Sequence, residues 1–210
     1  MWDFHTAWAI IGPNGAGKST FFNILTGQQK PDRGLVAING TDVSALPPHI
    51  RCRLGLGIKM QVPCVFQDLR VGQNLELAAM ASRKPTRIEE ALSRVGLLEY
   101  RNVTAGSLAH GQQQWLEIAL VLVQNPSVIL LDEPGAGMSD EDKRLTLSLI
   151  RRLSDHHTII VVEHDMAFVK SLEAPVLMLH QGKVFRSGSF DALVNDEQVV
   201  DAYLGSRKHG

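Results

Sequence analysis

Short unbroken apolar runs alternate along the chain with segments whose apolar positions recur at helical spacing. Trp8-Ala9-Ile10-Ile11, Val128-Ile129-Leu130-Leu131 and Thr158-Ile159-Ile160-Val161-Val162 read as strands buried on both faces of a parallel sheet. Residues 18–27 predict a first helix. Leu35 to Asn39 predicts a short strand closed by Asn39-Gly40, a hairpin dipeptide. Pro47-Pro48 opens a helical stretch from His49 to about Leu54, which Gly55 and Gly57 end, and Leu56 to Pro63 reads as a strand running into a loop. Helical patterns follow over 71–81, 87–95, a short piece from Leu97, and 113–124. Asp140 to Ser154 is amphipathic, with Leu145, Leu147, Leu149, Ile150 and Leu153 as its apolar face. Val176–Leu179 and Lys183–Phe185 form a hairpin across Gln181-Gly182, and Phe190 to Leu204 a helical tail. The fold class is α/β. A core of about 1–61 and 126–210 carries the strands, and the mostly helical stretch of about 62–125 reads as an inserted subdomain.

Between the first strand and first helix lies Gly12-Pro13-Asn14-Gly15-Ala16-Gly17-Lys18-Ser19-Thr20, which fits G-x-x-x-x-G-K-[ST] without a mismatch. Its glycines let the backbone curl so that N–H groups point at phosphate oxygens, and the following helix aims its positive end at the same place. Lys18 can reach the β- and γ-phosphates, and the Ser19 hydroxyl can ligate Mg²⁺.

Three more polar positions fall where apolar strands end: Gln61, Asp132-Glu133 and His164. The carboxyl ends of parallel strands are where ligands bind. Phosphoryl-transfer chemistry gives each a role. Asp132 can hold Mg²⁺, Glu133 can act as general base on the attacking water, and Gln61 can touch the metal or that water. His164 can hydrogen-bond the γ-phosphate. Gly111, at the start of a helix, can offer backbone N–H groups to an anion.

Composition narrows the surroundings. The 210 residues carry a net charge of −1, so no broad basic surface argues for nucleic acid. Cys52 and Cys64 form no C-x-x-C and suggest a reduced, cytosolic setting. No apolar run reaches the roughly 18–20 residues of a membrane span, and no signal-peptide pattern opens the chain. Work at a membrane would require a partner.

The order of phosphate loop, Gln61, Leu108-Ala109-His110-Gly111-Gln112, Leu130-Leu131-Asp132-Glu133-Pro134 and Glu163-His164-Asp165 resembles the ATP-binding subunits of ABC transporters. Closer features are similar to the branched-chain amino-acid import branch, and most of all its urea-uptake ATPase. They are Gln113-Gln114-Trp115-Leu116-Glu117 after His110-Gly111-Gln112, Ala136-Gly137-Met138, Asp165-Met166 after Val162-Glu163-His164, Leu179-His180-Gln181-Gly182 and Tyr203-Leu204-Gly205. The resemblance implies a RecA-like core with a helical subdomain, and ATP with Mg²⁺ as ligands. It implies a head-to-tail pair of ATPases in which the 108–112 signature of one chain meets the ATP of the other. It further implies a peripheral place on the cytoplasmic face of the membrane, a permease, and a solute-binding protein beyond it. By resemblance Gln61 is the Q-loop glutamine rather than Gln67, and Ala136 to Ser139 the D-loop.

Two positions depart from that pattern. The signature serine is Ala109 and the next glycine is His110. A lost hydrogen bond to a charged group is worth about 1.5–3 kcal/mol, so the departure predicts slower turnover at the partner's site. Only 17 residues precede Lys18, where the family has strands and a base-stacking aromatic. Trp2 and Phe4 either stand in for that aromatic or cover a core edge. The alternatives are a degenerate, nucleotide-binding subunit with little turnover, or an ABC ATPase outside transport. The second usually carries a coiled coil or a second cassette, and neither pattern is present.

Overall fold

The computed structural model describes residues 6–60, 64–82 and 85–205. In chain order they form β1 (Ala7–Ile11), α1 (Lys18–Thr26), β2 (Ala37–Ile38), β3 (Thr41–Asp42), α2 (Pro48–Arg53) and β4 (Leu56–Lys59). Then come α3 (Val71–Ala79), α4 (Ile88–Arg94), α5 (His110–Leu122), β5 (Val128–Asp132), α6 (Asp140–Ser154) and β6 (Thr158–Val162). Last are α7 (Met166–Leu172), β7 (Val176–His180), β8 (Lys183–Gly188), α8 (Phe190–Val194) and α9 (Glu197–Gly205).

Six strands make one sheet in the order β4-β5-β6-β1-β7-β8. It is parallel from β4 to β7, and β8 closes it antiparallel. Alternate residues of the inner strands feed two apolar layers. Ala9, Ile11, Ile129, Leu131, Ile159 and Val161 face one side with α5, α6 and α7, and Ile10, Leu130 and Ile160 face the other with Phe22 of α1. Burial on both faces is why these strands lack polar alternation.

Helices α3, α4 and α5 pack on one another, and α5 also packs on β4. Asn74 of α3 is 2% exposed; its amide donates to the Phe66 and Arg70 carbonyls and accepts from the Phe66 N–H, which ties down the chain approaching α3. At the end of α1, the fully buried Arg51 donates to the carbonyls of Ile24, Leu25, Ser44 and Leu46. It therefore donates to the helix-terminal carbonyls of Ile24, which also accepts the Gly27 N–H, and Leu25, and ties them to the 44–46 segment.

Several boundaries differ from those expected. Helix α5 starts at His110 rather than Gln113, because the Gln112 side chain accepts the Ala109 N–H at 3.0 Å and stabilises an earlier first turn. Leu145 of α6 is 46% exposed, and the buried neighbour is Thr146, whose hydroxyl accepts from Trp115 Nε1 at 2.9 Å and lies 3.3 Å from Met138 Sδ. The tail is two helices. Asp196 interrupts it by accepting the Gln198 and Val199 N–H groups and pairing with Arg186. Gly57 lies inside β4 instead of ending a helix, and β4 stops at Lys59. Of the expected strand 35–39 only Ala37–Ile38 is formed, and Leu35 is 70% exposed.

Candidate nucleotide site

The phosphate loop hangs between β1, at the middle of the sheet, and α1. Gly12 must be glycine here, since a Cβ would sit 2.4 Å from the Leu179 carbonyl oxygen. Gly17 caps α1 with φ +100°, a left-handed conformation that L side chains rarely adopt. The turn between β7 and β8 braces the loop, with the Gly182 N–H donating to Ala16 O at 3.0 Å. From the other side the Tyr203 phenol of α9 meets the Gly12 backbone, and burial pushes its pKa up to about 12.

Lys18 Nζ folds over the loop and donates to the carbonyls of Gly12 and Pro13. Partial burial lowers its pKa, opposed by Glu133 and Asp132 nearby. A cavity of about 520 Å³ opens over it, lined by Asn14, Gly15, Ala16, Gly17, Lys18, Ser19, Thr20, Glu133 and His164. The volume suits the phosphates of a nucleotide. The donor set, backbone N–H groups with one ammonium and hydroxyls from Ser19 and Thr20, suits their charge. The structure thus brings the loop, Glu133 and His164 to one place.

Glu133 reaches the cavity through an unusual backbone. Its φ is +47°, which turns the chain out of the sheet, while its N–H still donates to Val162 O at 2.9 Å. His164 Nδ1 lies 3.0 Å from Glu133 Oε1. Asp132 is half-buried behind them; burial and then the neighbouring Glu133 raise its carboxyl above the usual carboxylate range, opposed by Lys59 and Lys18. The donor types fit Mg²⁺, which takes few protein ligands beside phosphate and water: the Ser19 hydroxyl and the Asp132 carboxylate.

Gln61 lies outside the described residues, as do Trp2 and Phe4. The signature segment is described and does not line the cavity. Leu108 is buried, Ala109 caps α5 without a side-chain acceptor, and His110 Nε2 lies 3.5 Å from Ala136 O. Gly111 packs against the Asp142 carboxylate, and Gln112 caps Ala109.

Two residues at the site escaped the sequence reading of roles. Glu163 is 2% exposed and accepts the N–H groups of His164, Asp165 and Gly135, which binds together the turns after β5 and β6. Its place inside Glu163-His164-Asp165 was visible, its inward direction was not. Asp165 caps α7 through the Ala167 and Phe168 N–H groups and pairs with Lys143 at 2.7 Å.

A parallel sheet whose central strand delivers this loop, with an acid pair ending the strand two places away, defines a P-loop nucleoside triphosphatase. Residues 5–136 match the family model described as "ABC transporter". The chain belongs to the ABC transporter family of ATP-binding cassettes, and is an ATPase of that type. It is 34% identical to the high-affinity branched-chain amino acid transport ATP-binding protein BraF of Pseudomonas aeruginosa, over 94% of this chain and 86% of that protein. Identity and coverage are the same for LivG of Escherichia coli K12, which carries the same description. The lipopolysaccharide export system ATP-binding protein LptB of Acidithiobacillus ferridurans is 35% identical over 94% of this chain and 85% of its own. Among solved structures, the ADP conformation of MJ1267, an ATP-binding cassette of an ABC transporter, superposes with a TM-score of 0.88 at 25% identity, covering 97% of this chain and 89% of that one.

Proposed function

We propose that this chain energises uptake of urea, amides or branched-chain amino acids through a membrane permease by hydrolysing ATP. The observation that carries the catalytic part is the single cavity shared by residues 14–20, Glu133 and His164. Support for the cargo comes from the descriptions of BraF and LivG for branched-chain amino acids, and from the sequence resemblance alone for urea and amides.

In this reading Lys18 and the N–H groups of Asn14 to Thr20 bind the phosphates. Ser19 and Asp132, with Gln61, would hold Mg²⁺, whose charge offsets that developing on the transferred phosphoryl oxygens. Glu133 takes the proton of the attacking water. His164 holds the Glu133 carboxylate and faces the γ-phosphate. Leu108, Ala109, His110, Gly111 and Gln112 face the ATP of a second cassette, which fits their absence from the cavity of their own chain. The lobes 1–61 with 126–210, and 62–125, would then shift against each other as the pair closes.

The permease would seat at the groove of about 280 Å³ that Ile58, Met60, Phe66, Leu77 and Leu120 line. Phe66 on that groove is 60% exposed, and Met80, just past the end of α3, is 79% exposed. No helix among the described residues is long and apolar enough to cross a membrane. The chain would therefore reach the cytoplasmic face of the membrane through that partner, with a solute-binding protein on the far side. Ala109 favours a second reading, a cassette that binds ATP and turns it over slowly.

Mg²⁺-dependent ATP hydrolysis and nucleotide affinity, measured on this chain and on Glu133→Gln, separate the readings. Binding with hydrolysis that falls in the variant supports the first. Binding without hydrolysis in either protein supports the second, and no binding rejects both.

A further inference from the structure

Lys59 and Glu117 form an ion pair at 3.1 Å in which the side chains are only 3% and 7% exposed. Removing both charges from water costs several kcal/mol per ion in general, and an apolar pair of the same volume is often as stable. Stability alone is therefore a poor reason for the pair. Its position suggests another. β4 and α5 approach so closely that a Cβ on Gly57 would lie 2.3 Å from Val121 Cγ1. Two residues further along the same strand face stands Lys59, and one turn back along the same helix face stands Glu117. The contacts Gly57–Val121 and Lys59–Glu117 are successive rungs between a strand and a helix that run in opposite directions. An apolar rung can slide by a turn or a residue, whereas a buried ion pair closed between the two elements has one register.

The two elements lead to different parts of the proposed machinery. Lys59 ends β4 two positions before Gln61 in the chain, and α5 begins at His110 within the signature. We infer that Lys59 and Glu117 are positioning residues that hold α5 in register on β4, so that the lobe carrying the signature turns about this contact and does not slide along the strand that leads to Gln61. The functional weight of that coupling rests on the function proposed above. The register lock itself does not.

The test is amide hydrogen exchange by mass spectrometry on the full chain without nucleotide, beside urea unfolding. Lys59→Met/Glu117→Leu removes both charges together and leaves none buried alone. Lys59→Arg/Glu117→Asp keeps the charges and trades length between them. The expected result is that the apolar pair unfolds at a urea concentration equal to or above the native one, yet exchanges amides of 108–117 about tenfold faster, with α6 unchanged. The charged replacement restores most of the protection. Unchanged exchange over 108–117, or acceleration spread evenly over the chain, overturns the inference. A native chain that hydrolyses no ATP rejects the proposed function and leaves this comparison to decide the register lock.

Discussion

His164 Nδ1 and Glu133 Oε1 lie 3.0 Å apart across 31 residues of sequence, at the mouth of the cavity above the phosphate loop. With its proton on Nδ1 the imidazole donates to the carboxylate and fixes its direction. The second carboxylate oxygen is then aimed by a group that itself faces the cavity. Glu133→Gln keeps the shape and removes the proposed base. Hydrolysis is expected to fall by about 10²–10⁴-fold while nucleotide affinity stays within a few-fold. Phosphate release and a fluorescent-nucleotide titration measure the two quantities, and a native hydrolysis rate in Glu133→Gln would remove it as the base.

Ala109 leaves the first turn of α5 without a side-chain acceptor, although Gln112 already reaches back to it. Ala109→Ser is expected to cap the helix and raise unfolding stability by about 1 kcal/mol in urea. In a pair that closes on ATP, the same hydroxyl is expected to raise the hydrolysis rate. A stability gain without a rate gain would show that the hydroxyl acts on the helix alone.

Arg51 serves four backbone carbonyls from a fully buried position, and burial lowers its pKa. Arg51→Met strands the Leu25, Ser44 and Leu46 acceptors away from water, each at about 1–3 kcal/mol in general, while Ile24 keeps the Gly27 N–H. The loss expected in urea unfolding is at least about 3 kcal/mol, and Arg51→Lys should recover only part of it. An Arg51→Met chain that unfolds at the native midpoint would mean that water replaces the guanidinium.

Asp165 and Lys143 give a pH test. The Lys143 hydrogen bond, followed by the backbone donors of α7, holds the Asp165 carboxyl below its ordinary 3.8, and the same bond raises Lys143 above 10.5. Just below 3.8 the unfolded chain binds more protons than the folded one, so stability rises with pH there. The Asp165 contribution is complete above that value and lost as pH falls through the folded pKa. The Lys143 contribution is complete below 10.5 and lost above its folded value. The difference in stability between the native chain and Lys143→Met is therefore expected to be flat between about pH 5 and 9 and to vanish at both ends. Both side chains are partly exposed, at 28% and 30%, so solvent screening should hold it to about 1 kcal/mol. A difference that persists at pH 2 would assign the effect to packing of the lysine stem.

The sheet was legible because its inner strands announce themselves. Thr158 to Val162 has no polar side that would let it be anything but a doubly covered strand, and it occupies those residues in the structure. The loop motif and the acid pair were legible for a chemical reason, since few residue types serve phosphate. Arg51 was not, because a charged residue on a short amphipathic helix reads as solvated until the carbonyls around it are known. Neither was the Lys59–Glu117 pair, which closes only when β4 and α5 meet. Leu145 and Thr146 show the limit of periodicity: the buried position went to the residue whose hydroxyl could receive the Trp115 N–H.

The place of β1 in the sheet has a consequence for how the protein is made. Its partners are β6 and β7, so Ala7 waits for Ile159 and Ile11 for Met178. A growing chain exposes Ala9, Ile10 and Ile11 to water, or to a chaperone, until most of its length has been translated. The phosphate loop that β1 carries stays unformed over the same interval, since Gly182 and Tyr203, which brace it, are made later still. A half-translated chain therefore lacks the supports of the loop through which a finished cassette gains stability from bound ATP.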